Sequence, residues 1–220
     1  ISNTEFISNS ANSFGGGAYV GGSATLDGAY FSKNRTLVYD GGGLYAIGTL
    51  VLTDTAFWEN SAGDWGGGAL AGGPVIVTGS DFLNNTAVTR GGGLYAGSAL
   101  TMTNSYLRSN EAGAQGGGAY AIGPASVSGG TLDANLSQFA GGGLYAASTL
   151  VLSGTMVSAN IAQNSGGGVY ATAALRVSGV SFGGNTAVAA VGGGLFAANT
   201  LALTDTQFLS NTPGTLGGGA

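Results

Sequence analysis

Few residues in this chain can do acid–base or metal chemistry. The carboxylates are Glu5, Asp27, Asp40, Asp54, Glu59, Asp64, Asp81, Glu111, Asp133 and Asp205, set against 5 cations. Histidine and cysteine are absent. That removes the commonest general base, the thiolate nucleophile, the disulfide and most transition-metal ligand sets. A polysaccharide lyase or hydrolase needs convergent carboxylates, often with Ca²⁺ or a basic residue beside them. The best cluster is Asp40, Asp64 and Arg90, each in the stretch ahead of a Gly-Gly-Gly triplet. It reads more simply as a structural salt bridge or a solvated turn. Lys33 with Glu59, and Arg108 with Asp133, read as structural pairs of the same kind. The expectation is no enzyme, no cofactor and no metal site.

The elements that carry these residues come from a repeat. Triplets start at 15, 41, 66, 91, 116, 141, 166, 192 and 217, a spacing of 25 or 26 residues. Fixed self-similarity on this scale marks a solenoid. Positions are counted here from the first glycine of each triplet. Position 20 is then Asn9, Asn34, Asn60, Asn85, Asn110, Asn135, Asn160, Asn185 and Asn211. Position 17 is Phe or aliphatic, and position 12 is apolar throughout. Between triplets the chain alternates, as in "TLVLTDTAF", which reads as strand. Positions 4–6 and 9–13 are two alternating stretches, with a third near 15–18. They suit one turn of a parallel β-helix whose coils stack about 4.8 Å apart. The expected fold is all-β: one β-helix over residues 1–220, about nine 25-residue rungs, no evident end caps. Open parallel edges at the ends would invite end-to-end stacking.

Stacking assigns a role to each column. The Asn amides are expected to bond to one another along the axis and to tolerate left-handed backbone at a tight turn. The Phe column fills the interior, and glycine supplies torsions that other residues resist. Positions 4 and 10 alternate small and large together, Ala18 with Ala24 and Leu44 with Leu50, so both face one side, most simply the core. Position 5 is Tyr45, Tyr95, Tyr120, Tyr145 and Tyr170, with Leu70 and Phe196 substituting. These tyrosines either enter the core or form an exposed stripe for a partner; the covariation of position 4 favours the stripe. Thr53/Thr55 and Thr204/Thr206 fit a flat Thr-x-Thr face able to order water, or a hydroxyl ladder along the sheet.

Composition narrows the function classes. Glycine is 45 of 220 residues, with only 3 prolines, so collagen is excluded. The chain is 44% hydrophobic and 7% charged, which suits a folded protein and not a disordered one. A net charge of −5 argues against nucleic acid. No apolar run is long enough to span a membrane as a helix. An exterior so poor in charge is expected to pack against neighbours.

"FISN", "FSKN", "FWEN", "FLNN", "FGGN" and "FLSN", each followed by a Gly-Gly run, resemble the F-x-x-N and G-G-A-I repeats of the polymorphic outer-membrane proteins. "GGGLYA…TLVLTDTAFWEN" is similar to the glycine-rich right-handed parallel β-helix repeats of very large bacterial surface proteins. The resemblance implies a right-handed β-helix at a bacterial cell surface or outside the cell. The expected function is a structural segment of a fibre, sheath or stalk, self-associating by stacking or lateral packing. The alternative is an adhesin passenger that binds a host surface or carbohydrate. Ice-binding and polysaccharide-degrading β-helices are the remaining readings.

Overall fold

The computed structural model describes residues 1–220. The chain is a parallel β-solenoid of 34 short strands without a helix. Each rung visits four sheets. In the rung that starts at Gly41 the strands are Leu44–Ala46, Leu50–Thr53, Ala56–Trp58 and Ser61–Ala62. The sheets are called first to fourth in that order; the first two hold 8 strands each and the last two 9. Each strand pairs with its counterparts in the neighbouring rungs, in register, so Leu44, Ala69 and Leu94 stand above one another. The second sheet starts at position 10, not 9. The fourth sheet is absent from the sequence reading because a two-residue strand has no alternation to detect.

Three corners of the rung are left-handed. Position 1 is always glycine, with φ of 68° at Gly41 and 65° at Gly66. Position 14 also has positive φ, and it admits only Gly, Asn or Asp, as at Gly28, Asp54 and Asn104, the types that tolerate it best. Position 19 is the third corner, occupied by Lys33, Glu59 and Ala134 among others. Such residues resist this region by roughly 1–2 kcal/mol each. The left-handed turn expected of the asparagine therefore belongs to the residue before it.

The other two triplet glycines answer to space. A Cβ on Gly67 would lie 2.3 Å from the Gly92 oxygen and 2.5 Å from the Thr86 oxygen on the opposite wall of its own rung. A Cβ on Gly68 would lie 3.0 Å from the Phe82 ring and 3.2 Å from the Asn85 side chain. The coil is pinched there until backbone meets backbone.

The interior is one continuous apolar column of 36 buried residues. Leu44 and Leu50 are both fully inside, as are Leu52 and Phe57. Phe6, Phe31, Phe57 and Phe82 stack at 4.5–4.8 Å between ring centres. Leu107, Leu132 and Val157 interrupt the rings and remain buried. Phe182 and Phe208 resume them at 4.9 Å.

The asparagines run beside this column, and from Asn34 to Asn185 they are buried. Asn60 Oδ1 accepts both the backbone N–H and the side-chain N–H of Asn34, each at 3.0 Å. Asn60 Nδ2 donates to Asn85 Oδ1 at 3.0 Å and to the Phe31 carbonyl at 2.9 Å. The same pattern repeats at Asn85, Asn110, Asn135 and Asn160. Asn9 and Asn211 are its two ends, donating to Asn34 Oδ1 and accepting from Asn185. No donor or acceptor in the interior of the ladder is left open, which is the condition under which burying an amide stabilises.

Two substitutions test this accounting. Asn110→Ala removes the acceptor of both Asn85 N–H groups, leaving two buried donors at about 1–3 kcal/mol each. A loss of about 2–6 kcal/mol is expected in denaturant unfolding followed by circular dichroism. Ser137 Oγ is the one buried side-chain polar atom without a partner, at a position held by alanine in most rungs. Ser137→Ala is expected to raise stability by about 1 kcal/mol.

Candidate functional site

Alternation in the first sheet sends positions 4 and 6 inward and position 5 outward, as in the buried pair Leu44 and Ala46 around Tyr45. The tyrosines do leave the main core, but they do not form an exposed stripe. Tyr95 is 4% exposed and Tyr120 8%, while Tyr45, Tyr145 and Tyr170 are half-buried. The rings cover one another. Tyr95, Tyr120, Tyr145, Tyr170 and Phe196 stack at 4.9–5.3 Å. Where Leu70 breaks the column, Trp65 folds over and stacks on Tyr95 at 5.0 Å. The column is thus a second, smaller apolar core on the outside of the first sheet, centred on Leu70, Tyr95 and Tyr120. Sequence alternation gave its direction but not the cover, which comes from residues just ahead of the next triplet.

The charged cluster lies against this column. Arg90 does not pair with Asp40 or Asp64, since the molecule's one salt bridge is Lys33–Glu59 at 3.8 Å. Its guanidinium sits 5.8 Å from the Trp65 ring centre and 5.3 Å from that of Tyr120. Its Nε donates to Gln115 Oε1 at 2.8 Å. Asp40 accepts the Trp65 backbone N–H at 3.0 Å, and Asp64 accepts the Thr89 hydroxyl. The salt bridge expected here is replaced by a cation over aromatic rings and carboxylates that hold backbone and hydroxyl. Arg108 and Asp133 are register neighbours that likewise do not pair. Arg108 lies 4.9 Å from the Tyr106 ring centre and Asp133 accepts the Ser158 hydroxyl at 2.5 Å.

Burial sets the protonation of these groups. It raises Tyr95 to about 12, helped by Tyr120 and by Asp40 and Asp64, with Arg90 opposing. Burial also raises Tyr45, aided by Asp40 and Tyr19, and Tyr145, aided by Tyr120 and Tyr170. Asp40 is raised by burial and by Asp64, against the pull of the Trp65 N–H. A buried phenol with so high a pKa stays neutral at pH 7 and is no general base there.

The Thr-x-Thr face does not exist at positions 13 and 15. Thr55, Ser80, Ser105 and Thr155 are buried. Thr55 N–H donates to Ser80 Oγ at 3.1 Å, and that hydroxyl donates to the Thr78 carbonyl at 3.0 Å. Position 15 turns inward because the left-handed residue at position 14 breaks the alternation. The outward columns of the second sheet are instead positions 11 and 13. Position 13 is Asp27, then Ser or Thr in every rung to Thr204. Position 11 includes Val51, Ile76, Thr101 and Val151, with Ile76 42% and Val151 43% exposed. Arg176 is the one cation on this face. The sequence shows this pairing only once the corner at position 14 is known.

No protein-family profile, curated protein or solved structure matches this chain. No helix of the structure is long and apolar enough to cross a membrane.

The tyrosine column makes stability sensitive to alkali. Tyr95 is half-ionised at its ordinary value of 10.0 in the unfolded chain and at about 12 when folded. Below pH 10 both states keep the proton and full stability is present; above it the unfolded chain ionises first, so stability falls as pH rises towards 12. Tyrosinate absorbance of the folded protein is expected to show a late phase near pH 12, lost in Tyr95→Phe.

Proposed function

We propose that this chain is a structural rod segment of a bacterial fibre, sheath or surface stalk, acting through self-association and not through catalysis. The observation that carries this reading is the outer face of the second sheet. Columns 11 and 13 present hydroxyls and β-branched apolar groups in register along eight strands, a strip roughly 34 Å long at the usual strand spacing. Only Asp27 and Arg176 carry charge on it. A flat strip that repeats with the rung packs against a copy of itself without a precise partner, and its contact area grows with the number of rungs. An interface needs about 800 Å² on each side for stable association, which a long rod reaches through repetition.

The tyrosine stripe is no longer the contact in this reading, because its centre is already covered. Surface location is supported by the likeness of the repeat to those of bacterial surface proteins. The neutral ladders support a rod, since they satisfy buried polar groups without help from a ligand.

Ile76 and Val151 point outward and are not needed by the core. The double change Ile76→Lys and Val151→Lys is expected to disperse lateral bundles seen by negative-stain microscopy and sedimentation, with the unfolding midpoint nearly unchanged. Dispersed monomers in the unmodified protein at high concentration would sink the reading.

A further inference from the structure

The outer face of the third sheet differs from the rest of the rod. Position 17 points inward there, so positions 16 and 18 point out. Over four successive rungs these positions gather Tyr30, Trp58, Leu83 and Tyr106. Trp58 and Tyr106 are each 37% exposed. Between Tyr30 and Asp81 the same column drops to Ala56, and the missing side chain leaves a notch of about 330 Å³ walled by Tyr30, Trp58, Asp81 and Leu83. A second notch of about 190 Å³ continues from Asp81 and Leu83 to Tyr106 and Arg108. Together they make a shallow groove along the axis, about 14 Å from the rung of Tyr30 to that of Tyr106.

We propose that this groove binds an uncharged saccharide chain lying along the rod. Three observations carry the assignment. The walls are aromatic and partly open to solvent, and the C–H face of a pyranose packs on such rings as an apolar surface. The Asp81 carboxylate stands in the middle of the groove outside any ion pair, an acceptor free for sugar hydroxyls. The groove carries no excess of cations: Lys33 and Arg108 are matched by Glu59 and Asp81, and Glu5 beside Tyr30 and Asp133 beside Arg108 add negative charge at its two ends. Both cations are drawn onto rings, Lys33 Nζ 5.7 Å from the Trp58 centre and Arg108 4.9 Å from that of Tyr106. A groove without net positive charge disfavours polyanions, whose binding depends on uncompensated cations. The third sheet is separate from the second-sheet strip, so this inference does not rest on lateral packing.

The test is direct titration of the intact chain with cellotetraose, chitotetraose, laminaritetraose and xylotetraose, read by calorimetry and by tryptophan fluorescence. At least one neutral probe is expected to bind. Trp58→Ala and Asp81→Asn are each expected to weaken it at least about tenfold. Met156→Ala, outward on the same sheet but beyond the groove, is expected to leave affinity unchanged. Circular dichroism of all variants should match the parent, since each altered side chain is on the surface. The proposal is overturned if no neutral probe binds at millimolar concentration, or if Trp58→Ala and Asp81→Asn leave binding intact. It is equally overturned if oligogalacturonate binds better than the neutral probes. Sedimentation supplies a last arm: a dimer that Trp58→Ala dissolves, with no sugar bound, assigns the groove to a protein contact instead.

Discussion

The structure depends on one hydrogen bond made over and over, from the side-chain amide of an asparagine to the amide of the next one along the axis. It works because the asparagine amide has two donors and an oxygen with two lone pairs. In this ladder all are used: two donors go to the next asparagine and to a carbonyl of the preceding rung, and the oxygen takes two N–H groups. Neither aspartate nor glutamine meets these demands, one for lack of donors and the other for excess reach. The bond also stabilises what lies beside it. Position 19 is left-handed even when occupied by Lys33 or Ala159, and the adjoining ladder offsets that strain. The Phe column and the glycine pinch then follow, because the third glycine must leave room for both the ring and the amide.

The fold was legible where a physical demand leaves a single residue type. Asparagine at position 20 and glycine at positions 1 to 3 announce a stacked coil, and in-register stacking implies the sheets. Position 14 was equally informative, since only Gly, Asn and Asp occupy it, and reading it would have placed the corner that turns Thr55 inward. Side-chain cover was not legible. Whether Tyr95 is bare or buried depends on Trp65 and Arg90 folding back across a turn, and no periodicity encodes that. The charged cluster misled for a related reason. Asp40, Asp64 and Arg90 share a neighbourhood, yet a guanidinium beside two aromatic rings has a competing partner that spacing along the repeat does not weigh.

The molecule keeps distinct surfaces for distinct chemistry. The first sheet carries a self-covering aromatic column, the second a flat hydroxyl and β-branched strip, and the third a groove with aromatic walls. A solenoid permits this because each outward column is set by one position of the repeat and is independent of the core. The breaks in a column are then informative. Ala56 opens the groove where larger residues flank it, and Leu70 admits Trp65. Most of the uneven features of the exterior are single-rung departures from the repeat, superimposed on an interior that hardly varies.

The inter-rung hydrogen bonds lie along the rod, and this has a mechanical consequence. Tension transmitted along the chain through this segment would load the rungs in series, so the outermost one bears it first. Peeling a rung breaks its ladder bonds together and releases 25 residues, roughly 80–90 Å of extended chain. The next rung then presents the same bonds to the same force. A tether built this way would yield in near-equal steps and dissipate work at each, lengthening many-fold before its last coil opens. Under such a load the repeat would act as a force-limiting damper as much as a spacer.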